Sequence, residues 1–221
     1  AARLRQFTDQ QQTALTVLTD GRLASAFALD REPDRVRQRY GAHLFGQALL
    51  LARRLLRAGV PVIQANMGVT AQWDTHVKNC QWLRDALLPP LDQAFSALLD
   101  DLEAEGLLEE TLVVLTGEFG RTPKLGGNRN TPFYDPDGRD HWTPVFFSAF
   151  AGAGVRGGQV IGKSDRIGAF PVTKSYRPSD LGATVYSALG VDPASVVEDQ
   201  QGRPLQLNAG SVIEPLYTGA A

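Results

Sequence analysis

Two pairs of acidic and histidine residues lie far apart in the sequence. Asp74 and His76 form the first pair, Asp140 and His141 form the second, and Glu118 lies between them. Carboxylate oxygens and imidazole nitrogens are side-chain donors that bind divalent metal ions. Residues two apart in an extended segment point the same way, so Asp74 and His76 can share one ion. A lone histidine is usually structural, but two histidines that each accompany an aspartate favour a metal site.

Gly120 and Arg121 add features that are typical of an anion site. Glycine allows the backbone to approach a bound group closely, because it has no side chain. The planar guanidinium of arginine suits the oxygens of phosphate or sulfate. Arg121 could instead pair with a surface acid, and both interpretations stay open.

The predicted strands and helices suggest how these residues are positioned. Residues 111–116 are a short apolar run that predicts a buried strand, and a turn holding Glu118 follows it. Residues 60–67 predict an earlier strand, and residues 80–105 predict the helix between the two. This order predicts a right-handed crossover and a parallel pair. Because ligands bind beyond the carboxyl ends of strands in such sheets, we expect Asp74 and Glu118 at one sheet edge.

His141 precedes its strand rather than following one. Residues 144–150 are an apolar run that predicts this further strand. A metal site that includes His141 therefore requires one of two arrangements. Either this strand runs antiparallel to the strand of residues 111–116, or the polar loop of residues 124–139 folds over the sheet end. In both cases Phe119 is expected to turn into packing.

Two more helices are predicted, and one kink. Residues 42–58 place apolar side chains at helical spacing, and Gly59 is suited to the C-terminal cap. Residues 89–90 are both proline, so the helix of residues 80–105 must kink or restart there. The last clear helix begins near Pro178, with Ser179 as its expected N-cap.

The bulk properties limit the possible functions. The chain has 221 residues and a formal net charge of −2, so charge does not favour nucleic-acid binding. Its one cysteine excludes a disulfide within the chain. No apolar run approaches the roughly 20 residues that span a bilayer, so we expect no membrane segment.

Four stretches taken together resemble the bacterial family called domain of unknown function 1501. They are residues 73–76, 116–123, 138–142 and 157–162, and the resemblance extends over roughly residues 40–205. That family is similar to the sulfatases and alkaline phosphatases. The resemblance implies an α/β fold of the alkaline-phosphatase-like, or sulfatase-like, type, with a sheet flanked by helices.

The resemblance also implies a ligand set. Asp74, His76 and His141 would bind one metal ion, and Glu118 would reach a second one. Asp140 is either a further ligand or the partner that orients an adjacent ligand. The implied cofactors are divalent metal ions, with zinc, calcium and magnesium as the candidates.

The chain departs from the sulfatase-like pattern in two respects. Phe119 occupies the place of a histidine that binds the second metal, and the segment that carries the nucleophile is not found. Because the sequence also begins at Ala1 without methionine, we expect a partial domain that corresponds to the C-terminal half of the family. Residues 1–40 are predicted as a peripheral helical segment, residues 41–205 as the sulfatase-like part and residues 206–221 as a tail.

Two functional hypotheses follow. The first is a metal-dependent hydrolase of a phosphate or sulfate ester, incomplete without the missing N-terminal half that would supply the nucleophile, with a small molecule or a glycan as substrate and Arg121 as a substrate-binding residue. The second is a non-catalytic, secreted metal-binding or scaffold protein with the same fold, which the Phe119 substitution favours. The resemblance implies export to the bacterial periplasm in either case.

Overall fold

The computed structural model describes residue 11 and residues 21–68, 72–126 and 135–219. The chain divides into two compact units. The first takes in residues up to 75 and residues 80–102, and the second takes in residues 76–79 and those from 103 on. Most of the predicted peripheral segment before Gly21 lies outside the described residues, as do residues 127–134 of the predicted polar loop.

The first unit is built from helices. It contains α1 (Gly21–Ala26), α2 (Asp34–Tyr40), α3 (Leu44–Arg57) and most of α4 (Asn79–Trp82) and α5 (Leu88–Ala104). The predicted helix of residues 42–58 is confirmed as α3, which buries Phe45, Leu49 and Leu50 because they recur on one helical face. Gly59 follows with φ +88°, the left-handed conformation expected near a helix C-terminus.

A histidine caps the N-terminus of α3. The backbone N–H of Gly46 donates a hydrogen bond of 3.0 Å to Nδ1 of His43, which satisfies one of the free donors in the first turn. Position 46 also requires glycine, since a Cβ there would lie 2.1 Å from the Tyr40 carbonyl oxygen. These contacts fix the turn between α2 and α3.

A buried group of charges connects α2, α3 and α5. The Tyr40 hydroxyl donates to Asp101 at 2.9 Å, and both Arg39 and Arg53 form ion pairs with the same carboxylate. Arg53 and Asp101 are only 5% and 7% exposed. Burial of a charge is costly unless it is paired and hydrogen-bonded, so these partners must be present together.

The predicted helix of residues 80–105 is confirmed, with a local change before its prolines. A π-helical turn, Leu83–Leu87, joins α4 to α5, and the Leu88 N–H donates to the Leu83 carbonyl five residues back. Pro89 and Pro90 have no N–H to donate and crowd the preceding turn. The wider π-helical turn accommodates them without ending the helix.

Besides a 3₁₀-helical turn at Leu107–Glu109, the described residues of the second unit contain six short strands and two α-helices. They are β1 (Val113–Thr116), β2 (Gly120–Arg121), β3 (His141–Trp142), β4 (Ser148–Ala151), α6 (Pro178–Ala188), β5 (Val196–Glu198), β6 (Pro204–Gln206) and α7 (Pro215–Thr218). Within the described ranges the strands form three two-stranded antiparallel sheets: β1 with β4, β2 with β3, and β5 with β6. The strands predicted at residues 111–116 and 144–150 are confirmed in part, because β1 and β4 cover the later portion of each.

The prediction of a strand at residues 60–67 is wrong. The structure gives no strand there, and Val62 is 63% exposed. Pro61 cannot donate to a strand ladder, while Gln64 and Asn66 interrupt the apolar run that a buried parallel strand requires. The predicted crossover with a parallel pair is therefore not formed, and β1 pairs antiparallel with β4. The larger alkaline-phosphatase-like sheet stays a prediction.

The N-cap of α6 also differs from the prediction. The helix begins at Pro178 with Arg177 as its N-cap, so Ser179 is not the cap. The Asp180 carboxylate accepts the N–H of Arg177 at 2.7 Å and the N–H of Ser211 at 2.9 Å. One carboxylate in the first turn thus closes the helix end and holds a later segment of the chain against it.

We expect Asp180→Ala to lower the free energy of unfolding at pH 7 by about 1 kcal/mol, the usual effect of losing a cap. The N–H groups of Arg177 and Ser211 hold the pKa of the Asp180 carboxyl below its usual range. A group with a lowered folded-state pKa stabilises the protein above its unfolded pKa of about 3.9, and that stabilisation is lost as pH falls through the lowered value. Urea denaturation of both proteins across the acid range measures the effect.

The matched control is Ser187→Ala, an exposed position in the same helix. It should change the free energy of unfolding by less than about 0.5 kcal/mol at every pH. A difference between wild type and Asp180→Ala that is independent of pH would contradict the prediction.

Candidate metal centre

A short antiparallel strand pair holds Arg121 and His141 opposite each other. β2 and β3 pair so that Arg121 faces His141 and Gly120 faces Trp142 in the register. A Cβ at position 120 would lie 2.0 Å from the Val145 carbonyl oxygen. The close approach expected at Gly120 is therefore to the backbone of Val145 in the same chain.

Thr122 extends this pairing by one residue. Its N–H donates to the Asp140 carbonyl at 2.8 Å, and its Oγ1 accepts the Asp140 N–H at 3.1 Å. The Arg139 Nε donates to the Thr122 carbonyl at 2.7 Å. Backbone and side-chain bonds together fix Asp140 just before β3.

The segment that carries His76 is tied to the loop that carries Asp140. One Asp135 carboxylate oxygen accepts the Lys78 N–H at 2.8 Å, and the other accepts the Asp137 N–H at 2.8 Å. Gly138 packs directly on this segment, because a Cβ there would lie 2.2 Å from the His76 carbonyl oxygen. The two stretches therefore meet backbone to backbone.

A carboxylate orients His76. Nδ1 of His76 lies 3.0 Å from Oδ1 of Asp140, and both side chains are about one-third exposed. An ionised carboxylate only accepts hydrogen bonds, so the Nδ1–H of the ring donates to it. This tautomer leaves the Nε2 lone pair as the ligand atom, the arrangement that metal-binding histidines usually have.

The two histidines come together. The rings of His76 and His141 are 4.7 Å apart between centroids, and the ring of Phe119 packs 4.3 Å from that of His141. Asp74 belongs to the same group and is two residues before His76. Each of the three residues offers one ligand atom, and these atoms lie within 4.8 Å of one another. Ligands of one ion are roughly 3–4 Å apart, so side-chain rotation could close the set.

The other predicted site residues lie outside this group of three. Asp140 stands behind His76 as its hydrogen-bond partner, which favours the orienting role over direct ligation. Glu118 is exposed in the turn between β1 and β2, and its role at a second metal stays a prediction. Arg121 donates through Nη1 to the Arg139 carbonyl at 3.3 Å, and its contact with a substrate likewise stays a prediction.

Asp135 and Thr122 also organise the site, and the sequence alone does not predict their contributions. Asp135 opens the sequence Asp-Pro-Asp-Gly, which is a strong turn signal because aspartate accepts a hydrogen bond from the backbone two residues on. That signal predicts a turn, but it does not show that the second carboxylate oxygen holds Lys78. Only the folded chain brings residues 76–78 to this turn.

We expect Gly138→Ala to destabilise the protein, because the new methyl group collides with the rigid His76 carbonyl. Overpacking of this kind costs about 1–3 kcal/mol. In a chain of this size that lowers Tm by about 2–12 °C. Gly157→Ala is the control, since a Cβ there meets nothing within 4 Å. Equal melting temperatures for the two variants would contradict the close packing at Gly138.

None of the helices in the described ranges combines the length and the apolar character needed to cross a membrane.

No curated protein and no solved structure matches the chain. A family model does match, over residues 1–217, and its description is "Protein of unknown function (DUF1501)". The match covers nearly the whole chain and takes in all three residues of the metal-ligand group as well as Asp140. The chain therefore belongs to the family of proteins of unknown function described as DUF1501.

Proposed function

We propose that this protein binds a divalent metal ion through Asp74, His76 and His141 and hydrolyses a phosphate or sulfate ester with it. One observation supports this above all: the His76 ring contacts both the Asp140 carboxylate and the ring of His141. His76 and Asp140 are 64 residues apart in the sequence. Exposed acids often cluster without a metal. Two imidazoles with a carboxylate, one of them held by a further carboxylate, are typical of a metal ligand set.

The donor set favours some metals over others. Calcium and magnesium prefer oxygen ligands, whereas imidazole nitrogen suits zinc and other transition metals. Two histidines and one aspartate make three protein ligands, the number found in catalytic zinc sites that keep one position for water or substrate. The same donor types also bind ferrous iron. Zinc is therefore the first of the three candidate ions to test, with iron as an addition suggested by the donors.

The chain's own residues have distinct parts in the proposed reaction. Asp74, His76 and His141 would hold the ion, which would supply a Lewis acid for the ester oxygens and for the charge that develops on them. Arg121, opposite His141 in the β2–β3 register, would direct N–H donors to the same oxygens. A guanidinium has five N–H donors, so its bond to the Arg139 carbonyl is compatible with this role. Asp140 keeps His76 in the ligating tautomer.

A second function, metal binding without catalysis, is favoured by Phe119. Its ring packs 4.3 Å from the ring of His141, at the position where the sulfatase-like pattern has a second-metal histidine. Glu118 alone would be left to hold a second ion. With a single ion and no assigned nucleophile, the protein would bind metal as a structural or scaffold element.

We expect His141→Ala to lose the bound ion, because it removes one of three ligands. After loading with zinc and exhaustive dialysis, elemental analysis should give about one ion per wild-type chain and close to none for the variant. The control is His43→Asn, which removes the third histidine of the chain but keeps a good helix N-cap. Equal metal content in His141→Ala and wild type would remove His141 from the ligand set.

Turnover distinguishes the two functions. We expect the zinc-loaded full-length protein, with the segment that supplies the nucleophile, to release the aryl alcohol from an aryl phosphate or an aryl sulfate, with the activity lost to a chelator and restored by zinc. Arg121→Lys should lower kcat/KM about 10-fold or more, because lysine lacks the planar fork that contacts two oxygens. A protein that retains about one ion per chain yet turns over neither ester would favour the non-catalytic function.

A further inference from the structure

The second unit contains a groove beside β4. Its volume is about 490 Å³, and its lining includes residues 144–150, of which Ser148, Ala149 and Phe150 belong to β4. Side chains alternate between the two faces of a strand. Three consecutive strand residues can all line one groove only if the groove runs along the edge of the strand, where the backbone itself is accessible.

That edge of β4 has no strand beside it in the described part of the chain. β4 pairs with β1 alone, through the register from Val113 opposite Ala151 to Thr116 opposite Ser148. The second edge of a two-stranded sheet presents a row of N–H and C=O groups that can pair with another chain. At roughly 3.3 Å per residue, the four residues of β4 extend over about 13 Å, which is long enough to pair with about four residues of a partner strand.

The rest of the groove is basic and apolar. Arg156, Lys163, Lys174 and Arg177 all contribute to its lining, and no acidic residue does, although the whole chain has a net charge of −2. Two large apolar side chains of the lining are exposed: Phe147 is 77% exposed and Val160 is 87% exposed. Exposed apolar groups that flank an accessible strand edge are a usual feature of interaction surfaces.

We propose that this groove binds an extended acidic segment of a partner protein, which adds as a strand to the free edge of β4. The main chain of the segment would pair with the backbone of β4, Ser148–Ala151, and its acidic side chains would face the four basic residues. Its apolar side chains, alternating with the acidic ones, would cover Phe147 and Val160. This mode of recognition takes affinity from main-chain hydrogen bonds and specificity from alternate side chains. It is independent of the proposed metal site.

The peptide acetyl-(Glu-Val)4-amide, labelled with a fluorophore, is the probe. We expect fluorescence anisotropy to show saturable binding that weakens as ionic strength rises, since the contacts are partly between exposed charges. A Lys-Val peptide of the same length should bind at least 10-fold more weakly. Absence of binding by the Glu-Val peptide, or equal binding of the Lys-Val peptide, would overturn the proposal.

A second pair of measurements separates strand addition from simple attraction. The Glu-Val peptide methylated on every backbone nitrogen has the same charge and apolar groups but cannot donate main-chain hydrogen bonds. We expect it to bind at least 10-fold more weakly. If it binds as well as the parent peptide, the groove takes acidic amphipathic molecules in general, and strand addition is wrong.

The substitution Lys174→Glu tests whether the Glu-Val peptide binds in this groove. It should raise the Kd of the Glu-Val peptide about 10-fold, whereas Arg35→Glu should change it less than about twofold. Arg35 is exposed, belongs to the first unit, does not line the groove and gives the same change in net charge. Circular dichroism melting confirms that both variants are folded. Equal effects of the two substitutions would show that only the overall charge matters and would overturn the assignment to this groove.

Discussion

The contact between Gly120 and the Val145 carbonyl is the constraint on which the second unit depends. The chain leaves β1, bends at Glu118, passes through β2, and later returns through β3 towards β4. The outgoing and returning stretches can lie this close only because position 120 has no Cβ. The same contact sets Arg121 opposite His141 and directs the chain into a strand antiparallel to β1. Site and sheet are therefore consequences of one close approach.

The candidate metal centre is assembled from the two-residue strand β3 and from loops that carboxylates tie together, rather than from the faces of long elements. Asp135 bonds two backbone N–H groups and Asp140 bonds an imidazole, so both carboxylates organise the site without belonging to the group of three ligands. Sites on regular elements are usually more precise than sites on loops. An ion bound by His76 and His141 would supply a further link between these loops, so that metal binding and local order are coupled.

The sequence predicted helices better than strands for a physical reason. The apolar stripe of α3 and its terminal glycine are local signals, and both are borne out. Residues 60–67 contain β-branched residues, but pairing decides whether such a segment becomes a strand, and Pro61 with the polar residues after it disfavours pairing. The two histidines were predicted from their types and their aspartate neighbours, and the structure brings them together. The choice between ligand and orienting residue for Asp140 required coordinates, since it depends on which atom of His76 faces the carboxylate.

The buried charges of the first unit have a consequence for how this family can diverge. Asp101 is shared by Tyr40, Arg39 and Arg53, and Glu32 pairs with Arg53 at 3.6 Å. Loss of one partner leaves an uncompensated buried charge, which typically costs about 3–5 kcal/mol, while replacement of a whole buried ion pair by apolar residues is often neutral. Natural selection would therefore remove substitutions of single members of this group and tolerate joint substitutions. Positions 40, 53 and 101 are expected to vary as a set among relatives, so their covariation would record helix contacts rather than shared chemistry.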